Sequence, residues 1–464
     1  MDFNNLAEFH VFEELGQKIL FDPERMNFYR LDDLSHQMLR EVAEAKRVTD
    51  EMFAGWGKKY GEAETNQRLD DLKKLGLFEP IKFETTSIPP KQKRGISAIS
   101  LYVTHQCNLS CRYCSENNSG NSEINKHMSL AVAREAVELL ADSEVWAISL
   151  NGGEPLLKLP VMRQIVDHIK SKAVEKKIKK TIFGMTTNGT LIDKDAAEFC
   201  KENGIKLTVS VDGDAEVHDK ARITCLGGPS HEKAMQGIRI LKDAGQPFSI
   251  NMVMGPYHKD LVGTVKYLMD LSPKGITILP ASVIQNEWNI VHNNPDHLKN
   301  QFRELAKKWI EWRKNGVTPV DGNFEDNIIR ILKKEKRYSD CEAGLSFIGI
   351  GSDGSVYPCH LFVDFPELAR KTGTPSWPEI ENRNIGNIPE CRKCWARYVC
   401  AGGCVSLHYS TTRDLRQVDS DECRMTKFLI ELSMASFSLL PDDVKKYIAI
   451  KAKREKQASK AVHG

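Results

Sequence analysis

The 464-residue chain opens without an export signal: Met1-Asp2-Phe3-Asn4-Asn5 has no basic region followed by an apolar core. It also lacks any uninterrupted apolar run of about 18 residues, the length that a membrane-spanning helix needs. Neither sign of charge is in excess, since 65 basic residues against 63 acidic ones leave a net +2, and a nucleic-acid or lipid-surface binder would carry a basic surplus. These absences predict a cytoplasmic protein whose partners include neither nucleic acid nor membrane. They also decide how the twelve cysteines are read. Cytosolic thiols are held reduced, so a disulfide framework is not expected. Seven of the twelve fall between Cys341 and Cys423, a crowding that reads as metal ligation. With 41 % hydrophobic and 28 % charged residues the composition is that of a globular chain, long enough for two or three domains.

The chain is organised around Cys107-Asn108-Leu109-Ser110-Cys111-Arg112-Tyr113-Cys114, a C-x3-C-x2-C run after the apolar, β-branched segment Ile99-Ser100-Leu101-Tyr102-Val103-Thr104. Three thiolates so close together can wrap three irons of a 4Fe-4S cube and leave the fourth without a protein ligand. An open metal position is where chemistry happens. A zinc knuckle or three unrelated thiols are the alternatives, but zinc wants a fourth Cys or His at ligand spacing, and His105 stands before the run and not at such a spacing. The spacing, with Tyr113 before the third cysteine, resembles the signature of the radical S-adenosylmethionine (SAM) enzymes. That resemblance implies an open iron that chelates the amino and carboxylate groups of SAM, and one-electron cleavage of the sulfonium to a 5'-deoxyadenosyl radical.

Residues 1–84 read as a small α+β unit. Apolar segments around His10-Val11-Phe12, Ile19-Leu20-Phe21 and Phe28-Tyr29-Arg30-Leu31 are separated by turn signals at Glu14-Leu15-Gly16 and Asp22-Pro23-Glu24. Asp32-Asp33 then opens a helix with Leu34, Met38 and Val42 at helical spacing. Three strands followed by helices resemble the PqqD-like winged-helix module of peptide-modifying radical enzymes, whose edge strand accepts an extended leader peptide by β-augmentation. A capping domain that binds nothing is the alternative. Residues 85–95, with Pro89-Pro90 and three basic residues, read as a linker. From 96 to 320 strands alternate with helices. The candidates are Ile99–Thr104, Ala147–Leu150, Thr181–Met185, Lys206–Val211, Ser249–Met254 and Ile276–Leu279, an α/β pattern that suits the partial (β/α)6 barrel of the resembled family.

Loops at the C-terminal ends of such strands carry the chemistry. Asn151-Gly152-Gly153-Glu154-Pro155 resembles the family's GGEP motif, in which Glu154 and exposed backbone receive the SAM ammonium. Glycine there is expected to keep side chains from blocking the ligand. Thr186-Thr187-Asn188-Gly189 and Ser210-Val211-Asp212-Gly213, with Arg222, resemble stretches that line the SAM site. The resemblance places Ser210 near the ribose or carboxylate and Arg222 on the carboxylate. Asn188 and Asp212 are either SAM contacts or turn formers, and His218 and Asp219 are expected to close a loop. Cys200 reads as a buried helical thiol, and Cys225 as inert or as a spare ligand.

Toward the C-terminus, Cys341 and Cys359 bracket Gly354, and Cys391, Cys394, Cys400, Cys404 and Cys423 follow as C-x2-C-x5-C-x3-C-x18-C. A zinc ribbon is the bland alternative. The ordered spacing resembles the SPASM extension, assigned here to 321–440, which implies two auxiliary 4Fe-4S clusters and three clusters in all. Carried over by position, Cys391, Cys394, Cys400 and Cys423 ligate the distal cluster, and Cys341, Cys359 and Cys404 the nearer one. Lys333–Asp340 holds no further cysteine, so the nearer cluster is expected to keep an open iron. His360 follows Cys359 where sulfatase maturases carry an Asp base. The form Tyr357-Pro358-Cys359-His360 is similar to maturases of six-cysteine peptides and of quinohemoprotein amine dehydrogenase. His360 therefore serves either in proton transfer or as a hydrogen-bond partner of a cluster sulfide. Residues 441–464 read as a helix and a basic, solvated tail.

These resemblances imply a radical SAM/SPASM maturase that installs a cysteine-to-carbon thioether in a ribosomal precursor peptide, fed by a flavodoxin- or ferredoxin-type reductant. A carbon-carbon or carbon-oxygen crosslinking maturase is the alternative. Sulfatase maturation is disfavoured by the front domain, the absent cysteine and His360. An iron-sulfur scaffold or peptide binder without radical chemistry would leave the GGEP and SAM-lining loops without a purpose.

Overall fold

Residues 7–45, 47–77, 88, 95–115, 127–282, 286–317, 324–371 and 375–463 are described by the computed structural model, with side chains as far as 457. Apart from 88 and 95, the expected linker lies outside the described residues. The front unit is an antiparallel meander of β1 (His10–Glu14), β2 (Gln17–Asp22) and β3 (Asn27–Arg30). Its first turn is made by Leu15 and Gly16, with φ of 51° and 69°, the left-handed pair that matches strand twist. Asp32 then accepts the amide of Ser35 at 2.8 Å, satisfying an orphan donor of helix α1 (Asp33–Ala45). That helix turns Leu34, Met38 and Val42 inward. Helices α2 (Asp50–Tyr60) and α3 (Glu62–Lys74) complete the unit.

The second sheet is the scaffold of the site. Strands β4 (Ala98–Thr104), β5 (Val145–Gly152), β6 (Lys180–Thr187), β7 (Lys206–Ser210), β8 (Phe248–Met254) and β9 (Ile276–Pro280) lie side by side in sequence order, each parallel to the next. Helices cross back between them and cover the apolar outer face. One of these, Leu159–Glu175, buries Met162, Ile165, Val166, Ile169 and Ala173 along one stripe. Six parallel strands with crossing helices form the expected α/β partial barrel.

Two findings add to the sequence reading. First, the barrel sheet continues past the 320/321 boundary. Strand β10 (Phe347–Ile350) joins the barrel sheet parallel to β4, and β11 (Val356–Tyr357) pairs antiparallel with β10. Ile348 and Ile350 are the buried residues that fill this edge. Cys359 is thereby anchored at the margin of the barrel. Second, the basic tail is not frayed. Helix Asp442–His463 continues through it, with Ile448 and Ala452 buried one turn apart. Lys451 Nζ pairs with Glu325 Oε1 at 2.8 Å, and Lys456 Nζ caps the carbonyl of Lys333 at 2.5 Å. The lysines that made the segment look solvated are the polar rim of a packed helix.

Ile448→Ala is expected to lower unfolding stability by about 2–4 kcal/mol. Lys453→Ala, on the exposed side, should stay within about 0.5 kcal/mol. Urea denaturation of the two variants checks this, and equal effects would mean an unpacked tail.

Candidate active site and cysteine centres

Strand β4 ends at Thr104, whose hydroxyl accepts the amide of Gln106 at 3.0 Å, and the chain loops through Cys107–Cys114. That loop is pinned along one side. Arg112 N donates to Ala221 O at 3.0 Å, Ser110 N to Ile223 O at 2.8 Å and Cys225 N to Asn108 O at 3.2 Å, so segment Ala221–Cys225 runs antiparallel against it. Cys107, Cys111 and Cys114 are half-buried and form no disulfide. Burial pushes the Cys107 thiol up to about 12, against the pull of the Leu109 amide, and the charges of Glu154, Cys111 and Cys114 add to the rise. Thiols that resist ionisation by themselves, gathered in one loop, suit a cationic metal group better than they suit a free nucleophile.

Gly152 and Gly153 are required for a reason that differs from the one expected. A Cβ on Gly152, where φ is 143°, would sit 2.2 Å from Thr104 O, and one on Gly153 would sit 2.5 Å from Gln106 O. The glycines let the GGEP turn close against the start of the cysteine loop. Gly153 N donates to Thr104 O and Glu154 N to Gln106 O, both at 2.9 Å.

Glu154 is fully buried. Its Oε1 accepts Leu156 N at 3.1 Å and Thr187 Oγ1 at 2.8 Å, and its Oε2 accepts Asn188 N at 2.7 Å. Even so, burial raises its carboxyl to about 7. A carboxylate has roughly four acceptor positions, so one is left for a further donor. A buried carboxylate with three donors and a raised pKa is a ready seat for a cation such as an ammonium. Its place beside the Cys107 loop fits SAM there.

Asp212 is the hub of the opposite wall. It is fully buried at the end of β7, and its Oδ2 accepts Tyr113 OH at 2.6 Å and Tyr257 OH at 3.2 Å. Its Oδ1 accepts Val253 N at 3.0 Å and lies 3.1 Å from Arg222 Nε. Burial opposes the charge, but Arg222 beside it, with His218 and these donors, holds the carboxyl below its ordinary value. Arg222 in turn stands 4.0 Å from Cys111 Sγ through Nη1 and lies over the Tyr113 ring at 5.6 Å. Asp212 and Arg222 therefore answer each other first, through the guanidinium's Nε. Asn188 is similarly engaged. Its Nδ2 reaches Asn108 Oδ1 at 2.9 Å and Cys107 Sγ at 3.7 Å, while its Oδ1 accepts Thr190 N at 3.0 Å. Its side chain thus forms a turn and braces the cysteine loop. Ser210, 8 % exposed, stands two residues before Asp212 at the same strand end.

His218 lies in helix Ala215–Ala221, with Nδ1 facing Asp212 N at 3.4 Å. Asp219 closes the following loop by accepting Ser230 N at 2.8 Å and His231 N at 2.9 Å. Cys200 is buried, and Cys225 is exposed with Sγ 3.2 Å from Cys107 O. Sequence reasoning missed Tyr257, His258 and Trp288. His258 Nε2 contacts Asp212 O at 2.9 Å, and the Tyr257 ring lies 5.5 Å from Trp288, which also carries Arg112 at 5.7 Å. The available signal was the aromatic-histidine pair Tyr257-His258 just past a strand end.

The C-terminal thiols gather in two sets. Cys391, Cys394, Cys400 and Cys423 line one cavity of about 340 Å³, with Arg397, Arg424 and Lys427. Burial pushes Cys391 and Cys400 up to about 12 and Cys423 up to about 11, and the thiolates of the set raise one another further. Cys359 forms the second set with Cys404 and Cys341, near enough that either thiolate would add to the burial that pushes the Cys359 thiol up. Arg383, 7 % exposed, was also missed. It donates to Gly402 O, Leu415 O and Gln417 O, at 3.2, 2.6 and 3.2 Å, and so fixes the segment between Cys400 and Cys404. His360 is half-buried, and its Nδ1 has no hydrogen-bond partner among the described residues. A donor set of four cysteines, one buried and three half-buried, fits a fully ligated iron-sulfur cluster, and a set of three fits one with an open position.

A family model described as the Radical SAM superfamily matches residues 101–268. An uncharacterised protein of Methanocaldococcus jannaschii is 35 % identical over 312 residues, which cover 65 % of this chain and 96 % of that protein. A PqqA peptide cyclase of Granulibacter bethesdensis is 26 % identical, covering 68 % of this chain and 84 % of its own. A cysteine-type anaerobic sulfatase-maturating enzyme of Clostridium novyi is 25 % identical, covering 67 % and 88 %. Among solved structures, anSMEcpe with bound AdoMet superposes with a TM-score of 0.61 at 21 % identity, covering 73 % of this chain and 97 % of that one. Streptococcus suis SuiB bound to precursor peptide SuiA gives 0.51 at 15 % identity, covering 90 % and 99 %. At these identities the structural likeness establishes the fold. No helix among the described residues is long and apolar enough to cross a membrane.

Glu154 generates a pH signature. Its folded pKa of about 7 exceeds its unfolded value, so the folded state binds the extra proton and stability falls as pH rises between the two. Metal-free protein is expected to lose up to about 3 kcal/mol between pH ~4.5 and ~7.5 from this group. Glu154→Gln should remove that slope in urea titrations at the two pH values.

Proposed function

We propose that this chain, which belongs to the radical SAM superfamily, is a peptide maturase that joins a cysteine sulfur to a side-chain carbon of a ribosomally made peptide. The reading is carried by one arrangement: a three-thiol loop beside a buried carboxylate at the strand ends, and seven further thiols gathered as sets of four and three. In this reading Cys107, Cys111 and Cys114 hold a 4Fe-4S cluster, and Glu154, the Gly152–Gly153 backbone and Ser210 seat SAM. Cys391, Cys394, Cys400 and Cys423 hold a closed auxiliary cluster. Cys341, Cys359 and Cys404 hold a second one with room for a substrate thiolate. When bound, these groups supply hydrogen-atom abstraction from carbon by a 5'-deoxyadenosyl radical and a sink for the surplus electron.

The chain's own residues supply placement. Asp212, buried against Arg222, Tyr113 and Tyr257, fixes the position of the cysteine loop. His360 offers a buried ring nitrogen next to Cys359, placed to hydrogen-bond a cluster sulfide or to move a proton. The front unit is read as PqqD-like. Its β1 side packs on α1 and on helix Ser420–Ser438, whereas β3 borders a groove of about 320 Å³ lined by Met26, Phe28 and Arg30 on one side and Ile331, Leu332 and Phe437 on the other. An extended leader peptide added to β3 would gain main-chain hydrogen bonds along the edge and apolar pockets in the groove.

A carbon-carbon or carbon-oxygen crosslink is the second reading, favoured by the relative named PqqA peptide cyclase. Sulfatase maturation is a weaker third, supported by the Clostridium novyi relative but without an acidic residue at position 360.

Co-expression with a candidate precursor peptide followed by mass spectrometry separates them. A thioether is expected to remove two hydrogens per crosslink and to make one cysteine resistant to alkylation. Loss of two hydrogens with every cysteine still alkylated would favour the carbon crosslink. His360→Gln is expected to lower product formation by about 10²-fold if the ring moves a proton, with iron content unchanged.

A further inference from the structure

Five residues separate the distal-set cysteines Cys394 and Cys400, namely Trp395-Ala396-Arg397-Tyr398-Val399. Three of them are gripped by the N-terminal unit. Trp395 lies flat on the ring of His10, with centroids 4.0 Å apart and planes within 5°, and Phe21 meets it edge-on at 5.9 Å. Arg397 Nη1 donates to Glu8 Oε1 at 2.9 Å, and its Nη2 donates to Glu8 Oε2 at 2.6 Å and also to Glu24. Tyr398 OH donates to both oxygens of Glu24, at 3.0 and 3.2 Å, and Lys336 Nζ completes the ring of donors. On its other side Arg397 Nη1 donates to the carbonyl of Cys394 at 3.1 Å. The guanidinium thus ties a cysteine of the set to the N-terminal unit.

Burial gives these contacts weight. Arg397 is 1 % exposed and Glu24 7 %, so the pair is withdrawn from water, and removal of either partner leaves the other buried with less compensation, Glu8 alone for Arg397 and Lys336 alone for Glu24. The short helix Arg397–Cys400 has one turn of its own hydrogen bonds, too little to fix its position alone. Groups that touch metal ligands from outside set ligand orientation.

We infer that the N-terminal unit buttresses the distal cysteine centre from outside, with Glu24, acting through Arg397, as a positioning residue for Cys394 and Cys400. The inference rests on the reading of Cys391, Cys394, Cys400 and Cys423 as one cluster-binding set. Its consequence is that the unit offering β3 to a peptide also shapes a redox centre. The two therefore depend on each other in assembly.

The test uses full-length, anaerobically reconstituted protein, with iron counted per chain, EPR of the reduced centres and the rate of iron loss to a chelator. Cys391→Ala comes first, and is expected to remove about four irons per chain and one EPR signal. If it does neither, the cluster reading fails and the inference falls with it. Once that signal is assigned, Glu24→Ala is expected to change its line shape and to speed iron loss about tenfold, with Glu24→Gln restoring part of both. Glu14→Ala is the control. It breaks another contact between this unit and an arginine, Arg303 Nε and Nη2 to Glu14 at 2.7 and 3.0 Å, which touches no cysteine loop. It should lower the melting temperature yet leave the signal unmoved. If Glu24→Ala does not fold, Arg397→Lys, which keeps the charge but loses the planar fork, is expected to produce the same spectral change. A distal signal that is unaltered in the foldable variant, or altered to the same degree by Glu14→Ala, would overturn the inference.

Discussion

The ion pair between Asp212 and Arg222 is the constraint on which the site depends. Two charges withdrawn from water are tolerated only where their remaining hydrogen-bonding capacity is filled. Here Tyr113, Tyr257 and Val253 fill that of Asp212. Because Tyr113 belongs to the cysteine loop and Arg222 to the segment paired with it, the same contacts that neutralise Asp212 also fix the loop. Three thiols on a flexible loop would sample many spacings, whereas three thiols on a laddered loop hold one. Glu154 closes the other side as a buried carboxylate held by three donors.

The architecture repeats this logic at the C-terminal end. Cysteines distant in sequence are brought together by residues that bind backbone rather than metal. Arg383 ties the carbonyls of Gly402, Leu415 and Gln417, and Arg397 ties that of Cys394. Both are buried arginines, whose planar, permanently charged fork suits several carbonyl and carboxylate partners at once. Strand β10 sets Cys359 at the edge of the barrel, so the nearer cysteine set is built on the same sheet as the three-thiol loop. The two parts of the molecule share a scaffold instead of being joined by a tether.

What could be read in the sequence was local. Cysteine spacing, the GGEP turn, the β-meander signals and the alternation of strand and helix all live within windows of about ten residues, where steric and hydrogen-bonding rules act directly. What escaped was long-range. Tyr257 and Trp288 join the site only because β8 and β9 end beside β7, and no spacing near Asp212 announces them. Gly152 and Gly153 were legible as necessary, but the obstacle they avoid is the backbone of Thr104 and Gln106, visible only once β4 and β5 lie side by side. In the tail, abundant lysines concealed Ala452, which continues the buried face of the helix one turn past Ile448. The grip of Glu24 on Arg397 spans 373 positions, beyond any motif.

The central claim is that the loop Cys107–Cys114 and Glu154 form one site for an open-cornered iron-sulfur cluster and SAM. The direct measurement is the conversion of SAM to 5'-deoxyadenosine by anaerobically reconstituted protein under a strong reductant, for the parent and for Cys107→Ala with its auxiliary iron retained. The account requires 5'-deoxyadenosine from the parent and none from the variant. An intact cluster in the parent that leaves the nucleotide uncleaved, or equal cleavage by the variant, would contradict it.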